Sequence, residues 1–247
     1  MIDWMLPIVF LLGFVTSLYA VNVGGGGLII IPTLIFLGFS PHEAVATGLL
    51  GYWGLNIVGI YKFNGAKKIN WKIGIIGAAI ISMGSLSGSF LMIRIPVTFF
   101  EKLIGFFLII ILIILLLSRE GLGIRKRELS KLKNYIGYSL FLPLGIYAAI
   151  VGAGGAILAS YILVFFFGLT FLESSGTRKV TLFVNAFVLV ISYGFHGIIN
   201  WPVGFALFVG NAIGAYIGSS FAISKGDKYM RVLLIAMTVV SAVILVM

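Results

Sequence analysis

Charge-free apolar runs long enough to span a bilayer constrain this chain more than any motif in it. Ile73–Ile93 carries no ionisable side chain, and about 20 such residues in a helix cross a hydrocarbon core roughly 30 Å thick. Lipid offers the backbone no hydrogen-bond partner, so a run of this kind must satisfy its own amides as a helix. The hydrophobic fraction is 61% with 10% charged residues, whereas soluble domains are roughly 45–50% apolar. The sequence therefore predicts an all-α integral membrane protein with the lipid bilayer as its partner.

Marking apolar runs between charged or turn-rich breaks gives about ten membrane segments. Six are full length: Ala44–Tyr61, Ile73–Ile93, Leu103–Ser118, Ser175–Gly194, Pro202–Ile223 and Met230–Met247. Four come as two pairs, Trp4–Val23 with Leu28–Phe39 and Tyr135–Val151 with Ala156–Leu169, each divided by a glycine cluster. The second member of each pair falls short of a full crossing, which predicts tilted or half-length helices. The N-terminal run has no basic leader and continues into further spans, so it reads as a membrane helix rather than a secretory signal. The polar stretch 119–134, with six Lys/Arg, separates a first membrane repeat, 1–118, from a second, 135–247.

An offset of about 130 residues brings the halves into register. Glu43 meets Glu173, Thr47 meets Thr177, Asn70-Trp71 meets Asn200-Trp201, Gly84 meets Gly214 and Gly88 meets Gly218. An offset two residues shorter places Gly26-Gly27 on Gly154-Gly155. Five segments per half invert the second copy, whereas four keep it parallel. Basic residues concentrate on the cytoplasmic side of membrane proteins, so their distribution separates the two. With five segments, fifteen of the seventeen Lys/Arg fall on the side of the 119–134 linker and only Arg94 and Lys102 lie opposite. With four, the division drops to ten against seven. The expectation is two inverted five-segment repeats in the cell membrane, multi-pass, with a cytoplasmic linker and both termini external.

Two glycine-rich breaks occupy equivalent places in the halves: Asn22-Val23-Gly24-Gly25-Gly26-Gly27 and Val151-Gly152-Ala153-Gly154-Gly155. Broken backbone at membrane depth is tolerated where protein or a wet cavity covers it. The short helices that follow would aim their positive N-termini and unpaired amides at the breaks, which suits an anion. The candidate substrate-binding residues are therefore Asn22, Gly24, Gly25, Gly26, Gly27, Gly152, Gly154 and Gly155, with the intramembrane polar residues Thr47, Thr177, Asn185 and Asn211. Asn56 is a further polar residue, but nine positions from Thr47 it projects from nearly the opposite face, whereas Thr177 and Asn185 share one. The ordinary roles of such Asn and Thr are interhelical hydrogen bonding and helix capping. Arg178 and Lys179 either snorkel to the interface and set topology or form an electropositive vestibule for an anion; Arg178 stands among the binding candidates. Glu43 and Glu173 flank helix starts, where negative charge is favoured, and a proton is the candidate coupling ion.

Cysteine is absent, which removes disulfides and thiolate chemistry. His42 and His196 lack neighbours of ligand spacing, so no metal site is expected. There is no nucleotide-binding G-x-x-x-x-G-K-[ST] loop, no H-E-x-x-H and no G-x-S-x-G, so ATP hydrolysis, enzymatic activity and cofactors are not expected. The formal charge of +10 is accounted for by topology and does not call for nucleic acid. Gly84…Gly88 and Gly214…Gly218 suit close helix contacts within one chain or between two and leave the oligomeric state open.

The first glycine cluster with its short apolar helix, followed by Glu43-Ala44-Val45-Ala46-Thr47, and its repetition as Val151–Gly155 and Glu173-Ser174-Ser175-Gly176-Thr177, resembles the sulfite exporter TauE/SafE family. The glycine-rich Gly214–Gly218 region is similar to the family's second half, and the resemblance runs over essentially the whole chain. It implies movement of sulfur-containing anions such as sulfite and organosulfonates without ATP hydrolysis. Gly48 follows Thr47 where a serine is frequent in the family, and Arg178 stands at the corresponding place in the second half. Sequence and resemblance together predict a secondary transporter of small anions, with sulfur-containing oxyanions foremost, by alternating access at the two breaks. A passive anion channel and a non-transporting membrane scaffold are the alternative readings.

Overall fold

The computed structural model describes residues 4–94, 123 and 126–246. Among them are eight α-helices: α1 (Met5–Val23), α2 (Gly27–Phe36), α3 (Pro41–Gly65), α4 (Trp71–Arg94), α5 (Lys131–Val151), α6 (Gly155–Phe167), α7 (Phe171–Phe195) and α8 (Trp201–Val246). The described residues contain no strand. Six helices are long and apolar enough to cross a membrane, and the chain is a multi-pass membrane protein. Helices α2 and α6 are the short ones, with 10 and 13 residues, or about 15 and 20 Å at the rise of an α-helix. The ten expected segments thus become eight helices here. Leu103–Ser118 lies outside the described residues, and Pro202–Ile223 and the described part of Met230–Met247 both fall within α8, on either side of a kink at Gly226, whose backbone (φ 79°, ψ −171°) is not helical. The adjoining Asp227 carboxylate accepts from the Leu172 amide at 2.8 Å, which docks the bend on the start of α7.

Capping residues place the helix starts. Ser40 accepts from the Glu43 amide at α3, and Thr170 and Glu173 form a reciprocal capping box at α7, satisfying first-turn amides that have no helical partner. The two glutamates are helix-start residues, as their sequence positions suggest. Helix α5 begins at Lys131 rather than at Tyr135 because Ser130 caps it through the Lys133 amide. The tail of the expected linker is therefore helix.

Glycine stripes bring helices into contact in two places by the same means. Gly214 and Gly218 of α8 lie on the Phe14 and Leu18 carbonyls of α1, and Gly84 and Gly88 of α4 lie on the Leu142 and Ile146 carbonyls of α5. A Cβ on Gly88 would come within 2.7 Å of the Ile146 oxygen. Backbones at this distance gain van der Waals contact that larger residues would prevent, so these small-residue patterns act within this chain. Helix α3 packs on α8, α7 packs on α4, and α3 and α7 pack on each other. The Asn70 amide donates to Thr177 Oγ1 at 2.9 Å, and the Asn200 amide donates to Thr47 Oγ1 at 3.1 Å. The offset of about 130 residues equates these two bonds partner for partner.

Thr47→Val and Thr177→Val are each expected to cost about 1 kcal/mol through one unpaired loop amide. Gly214→Val and Gly84→Val should each cost at least about 1–3 kcal/mol by overpacking. Thermal unfolding of the purified protein in detergent checks both pairs, with similar losses expected within each pair.

Candidate functional site

The breaks form because glycine adopts backbone angles that a side chain resists. Helix α1 ends on Gly24 (φ 89°) and Gly25 (φ 84°), and α5 ends on Gly152 (φ 66°), with Gly154 (φ 75°) leading into α6. These are left-handed conformations in which L-residues with a Cβ are strained. The two breaks also touch. A Cβ on Gly24 would lie 2.9 Å from Ala156 Cβ, and one on Gly27 would lie 2.9 Å from both the Gly152 oxygen and Tyr52 Oη. The amides of Gly25, Gly26 and Gly27, and those from Ala153 to Ala156, donate to no described residue. They are the unpaired donors that every helix start leaves.

A cavity of about 70 Å³ lies between the breaks, where about 10–15 Å³ is enough to admit a water. Glycines of both breaks line it, with Leu49, Tyr52, Leu55 and Asn56 from α3 and Lys179, Leu182, Asn185 and Ala186 from α7. The 130-residue offset equates these two sets one for one. The backbone frame is thus similar on both sides while the chemistry differs. Tyr52 Oη is buried without a partner among the described residues. Ser85 engages the carbonyl oxygen of the Asn185 amide, so its NH₂ remains as a donor.

Lys179 is the most consequential wall residue. It is 1% exposed, and no hydrogen bond or ion pair joins its ammonium to a described residue. Its stem crosses Gly59 of α3, where a Cβ would come within 2.9 Å of Cδ. Taking an ammonium out of water without a counter-charge is strongly unfavourable, and no acidic side chain lines the cavity. The lining thus combines a buried lysine amine, neutral N–H and O–H donors and two helix starts, with no carboxylate to oppose a negative charge. The cavity lining contains no serine, cysteine, histidine or carboxylate to act as nucleophile or base. No cluster of His, Asp or Glu among the described residues could hold a metal ion.

Of the sequence-predicted site residues, Gly24, Gly25, Gly26, Gly27, Gly152, Gly154, Gly155 and Asn185 come together at this cavity. Asn22 stands behind the first break, its amide donating to the Gly218 oxygen at 3.0 Å. Thr47 and Thr177 are occupied with the loops of Asn200 and Asn70, so Thr177 does not join Asn185. Asn211 is buried beside Gly51 and Gly13 at the meeting of α1, α3 and α8, with both amide atoms unpartnered among the described residues. Trp53, mid-helix in α3, packs against Phe183 and Phe187.

Arg178 is 0% exposed, so its side chain is turned into the protein and does not snorkel to the interface. Its guanidinium donates to the Ala156 oxygen at 2.9 Å, Ser160 Oγ at 2.6 Å, the Val21 oxygen at 3.3 Å and the Asn22 oxygen at 3.2 Å. It ties the end of α1 to the start of α6, and Ser175, one turn earlier, adds a bond to the Asn22 oxygen at 2.6 Å. Of the polar wall residues, Tyr52 is absent from the sequence reading, while Asn56 and Lys179 are named there but not placed among the binding candidates. Helical spacing gives a signal for Lys179, since positions 179, 182 and 186 recur on one face of α7.

Arg178→Ala is expected to lower stability by roughly 3 kcal/mol, because it strands carbonyls that a charged donor now satisfies. Lys179→Met, which removes an unpaired buried charge, should instead raise the melting temperature of anion-free protein. Thermal unfolding in anion-poor detergent buffer separates the two.

The profile of the family described as "Sulfite exporter TauE/SafE" matches residues 9–245. A Haemophilus influenzae protein named "Probable membrane transporter protein" is 29% identical over 235 residues, covering 95% of this chain and 91% of its own. "Probable membrane transporter protein YfcA" of Escherichia coli is 27% identical, covering 94% of this chain and 84% of its own. "Probable membrane transporter protein ORF9" of Sinorhizobium is 28% identical, covering 95% and 88%. No solved structure matches.

Proposed function

Because the chain belongs to the sulfite exporter TauE/SafE family, we propose that it is a secondary membrane transporter of small anions, with sulfur-containing oxyanions such as sulfite or a sulfonate foremost. The observation that carries this reading is the cavity between the two glycine breaks, where the Lys179 ammonium and a set of backbone amides lack partners. The relatives' names support transport, and the donor-rich, carboxylate-free lining supports an anion as cargo.

In this proposal residues 1–118 and 135–247 are inverted repeats of five segments, joined by a cytoplasmic linker at 119–134, with both termini external to the plasma membrane. The paired Thr–Asn bonds and glycine contacts support the repeat, and the Lys/Arg distribution supports the orientation. The two repeats share the cavity, so rocking one against the other opens it to each side in turn. Gradients of substrate and coupling ion then set the direction. A proton is the candidate coupling ion, and Glu43 and Glu173 serve as helix-start residues outside the cavity lining.

Reconstitution into liposomes tests the proposal. Saturable flux of sulfite, thiosulfate or an alkanesulfonate is expected, and no saturable flux of these or of chloride under any gradient overturns it. Gly155→Ala separates transport from folding: its Cβ would meet Ala148 Cβ at an ordinary 3.5 Å while entering the cavity wall. Unchanged melting with reduced flux is the expected result.

A further inference from the structure

Two helices flank the cavity with equivalent positions, yet only one contributes a charge. Lys179 of α7 and Leu49 of α3 both line the space and are related by the repeat offset. The other equivalent pairs alternate, Tyr52 against Leu182, Leu55 against Asn185 and Asn56 against Ala186, so each wall has two polar side chains and Lys179 is the one ionisable as a cation. Arg178, the adjacent cation, is not part of the lining: Ala156, Ser160, Val21 and Asn22 occupy its terminal nitrogens, and its Nε–H is buried without a partner among the described residues. The remaining walls are largely alanine and leucine side chains.

This lining holds one negative charge well and a second one poorly. The cost of dehydrating an ion grows steeply with its charge, and a buried charge without a partner is not compensated. An apolar substituent, by contrast, needs no hydrogen bond and fits against Leu49, Leu55 and Leu182. We infer that the cavity is matched to a monoanion with one oxyanion group and a short apolar substituent, and that Lys179 is the residue that sets this preference over dianions. The inference rests on the proposed anion-transport reading of the same cavity.

Methanesulfonate and sulfate test it, because both are tetrahedral at sulfur and differ by a methyl group in place of a charged oxygen. In proteoliposomes at neutral pH and constant ionic strength, wild-type KM for methanesulfonate should be lower than for sulfate by about tenfold or more. Lys179→Gln should raise the methanesulfonate KM roughly ten- to a hundredfold without lowering the melting temperature. Leu49→Lys, which adds a second ammonium, should shift preference toward sulfate. The exchange Leu49→Lys with Lys179→Leu should restore the preference for the monoanion, which a purely structural lysine would not do.

Wild-type preference for sulfate overturns this inference alone, as does sulfite flux without methanesulfonate flux, or an unchanged KM in Lys179→Gln. Should Leu49→Lys fail to fold, Lys179→Gln and the anion comparison still decide. Absence of saturable flux for every anion, chloride included, overturns the transport reading and this inference with it.

Discussion

A helix broken inside a bilayer leaves amides and carbonyls that lipid cannot satisfy, and the rest of this structure depends on how two such breaks are covered. The protein supplies donors for the carbonyls. Arg178 and Ser175 meet those at the end of α1, and the Tyr147 and Tyr193 hydroxyls meet those of Ala153 and Ala149 around the second break. No described residue accepts from the amides of Gly25, Gly26 and Gly27 or from those of Ala153 to Ala156. Several carbonyls of the breaks find donors within the protein while these amides find no acceptor, and the proposed anion site rests on that sorting of polarity.

The same contacts explain the Glu173–Thr177 stretch and the arginine after it. Glu173 completes the cap of α7, Ser174 and Ser175 reach α6 and α1, and Thr177 holds the Asn70 loop. Gly176 lies so close to the Lys68 carbonyl that no side chain would fit. In the first half, Ala44, Val45 and Ala46 take the corresponding places, and Val45 packs toward Gly152 instead. One half thus braces the breaks with polar side chains and the other with apolar ones. The side-chain asymmetry across similar backbone positions places the cavity's one lysine on the α7 wall.

Much of this was legible in the sequence because lipid leaves few choices. Charge-free runs must be helices, and the glycine clusters lie where α1 and α5 end. Boundaries were less legible where a side chain decided them, as Ser130 did for α5. The fate of Arg178 was not legible, and for Lys179 only the helical spacing with positions 182 and 186 gave a signal. Neighbours on a helix point about 100° apart, so adjacent basic residues with the same sequence signature reach different surroundings. One satisfies carbonyls of two other helices, and the other enters the cavity. Thr177 and Asn185 fall on similar faces, but the first is taken by a loop amide brought from far along the chain.

The sequence by itself determined that the chain is a bundle of membrane helices with two equivalent glycine interruptions, because hydrophobicity and backbone conformational freedom are local properties. Only the tertiary structure decided that the interruptions abut, which of their carbonyls find donors, and that Lys179 lacks a described partner. Those facts depend on contacts between segments far apart in the chain, such as Ser175 with Asn22, where packing distance rather than residue type selects the partner.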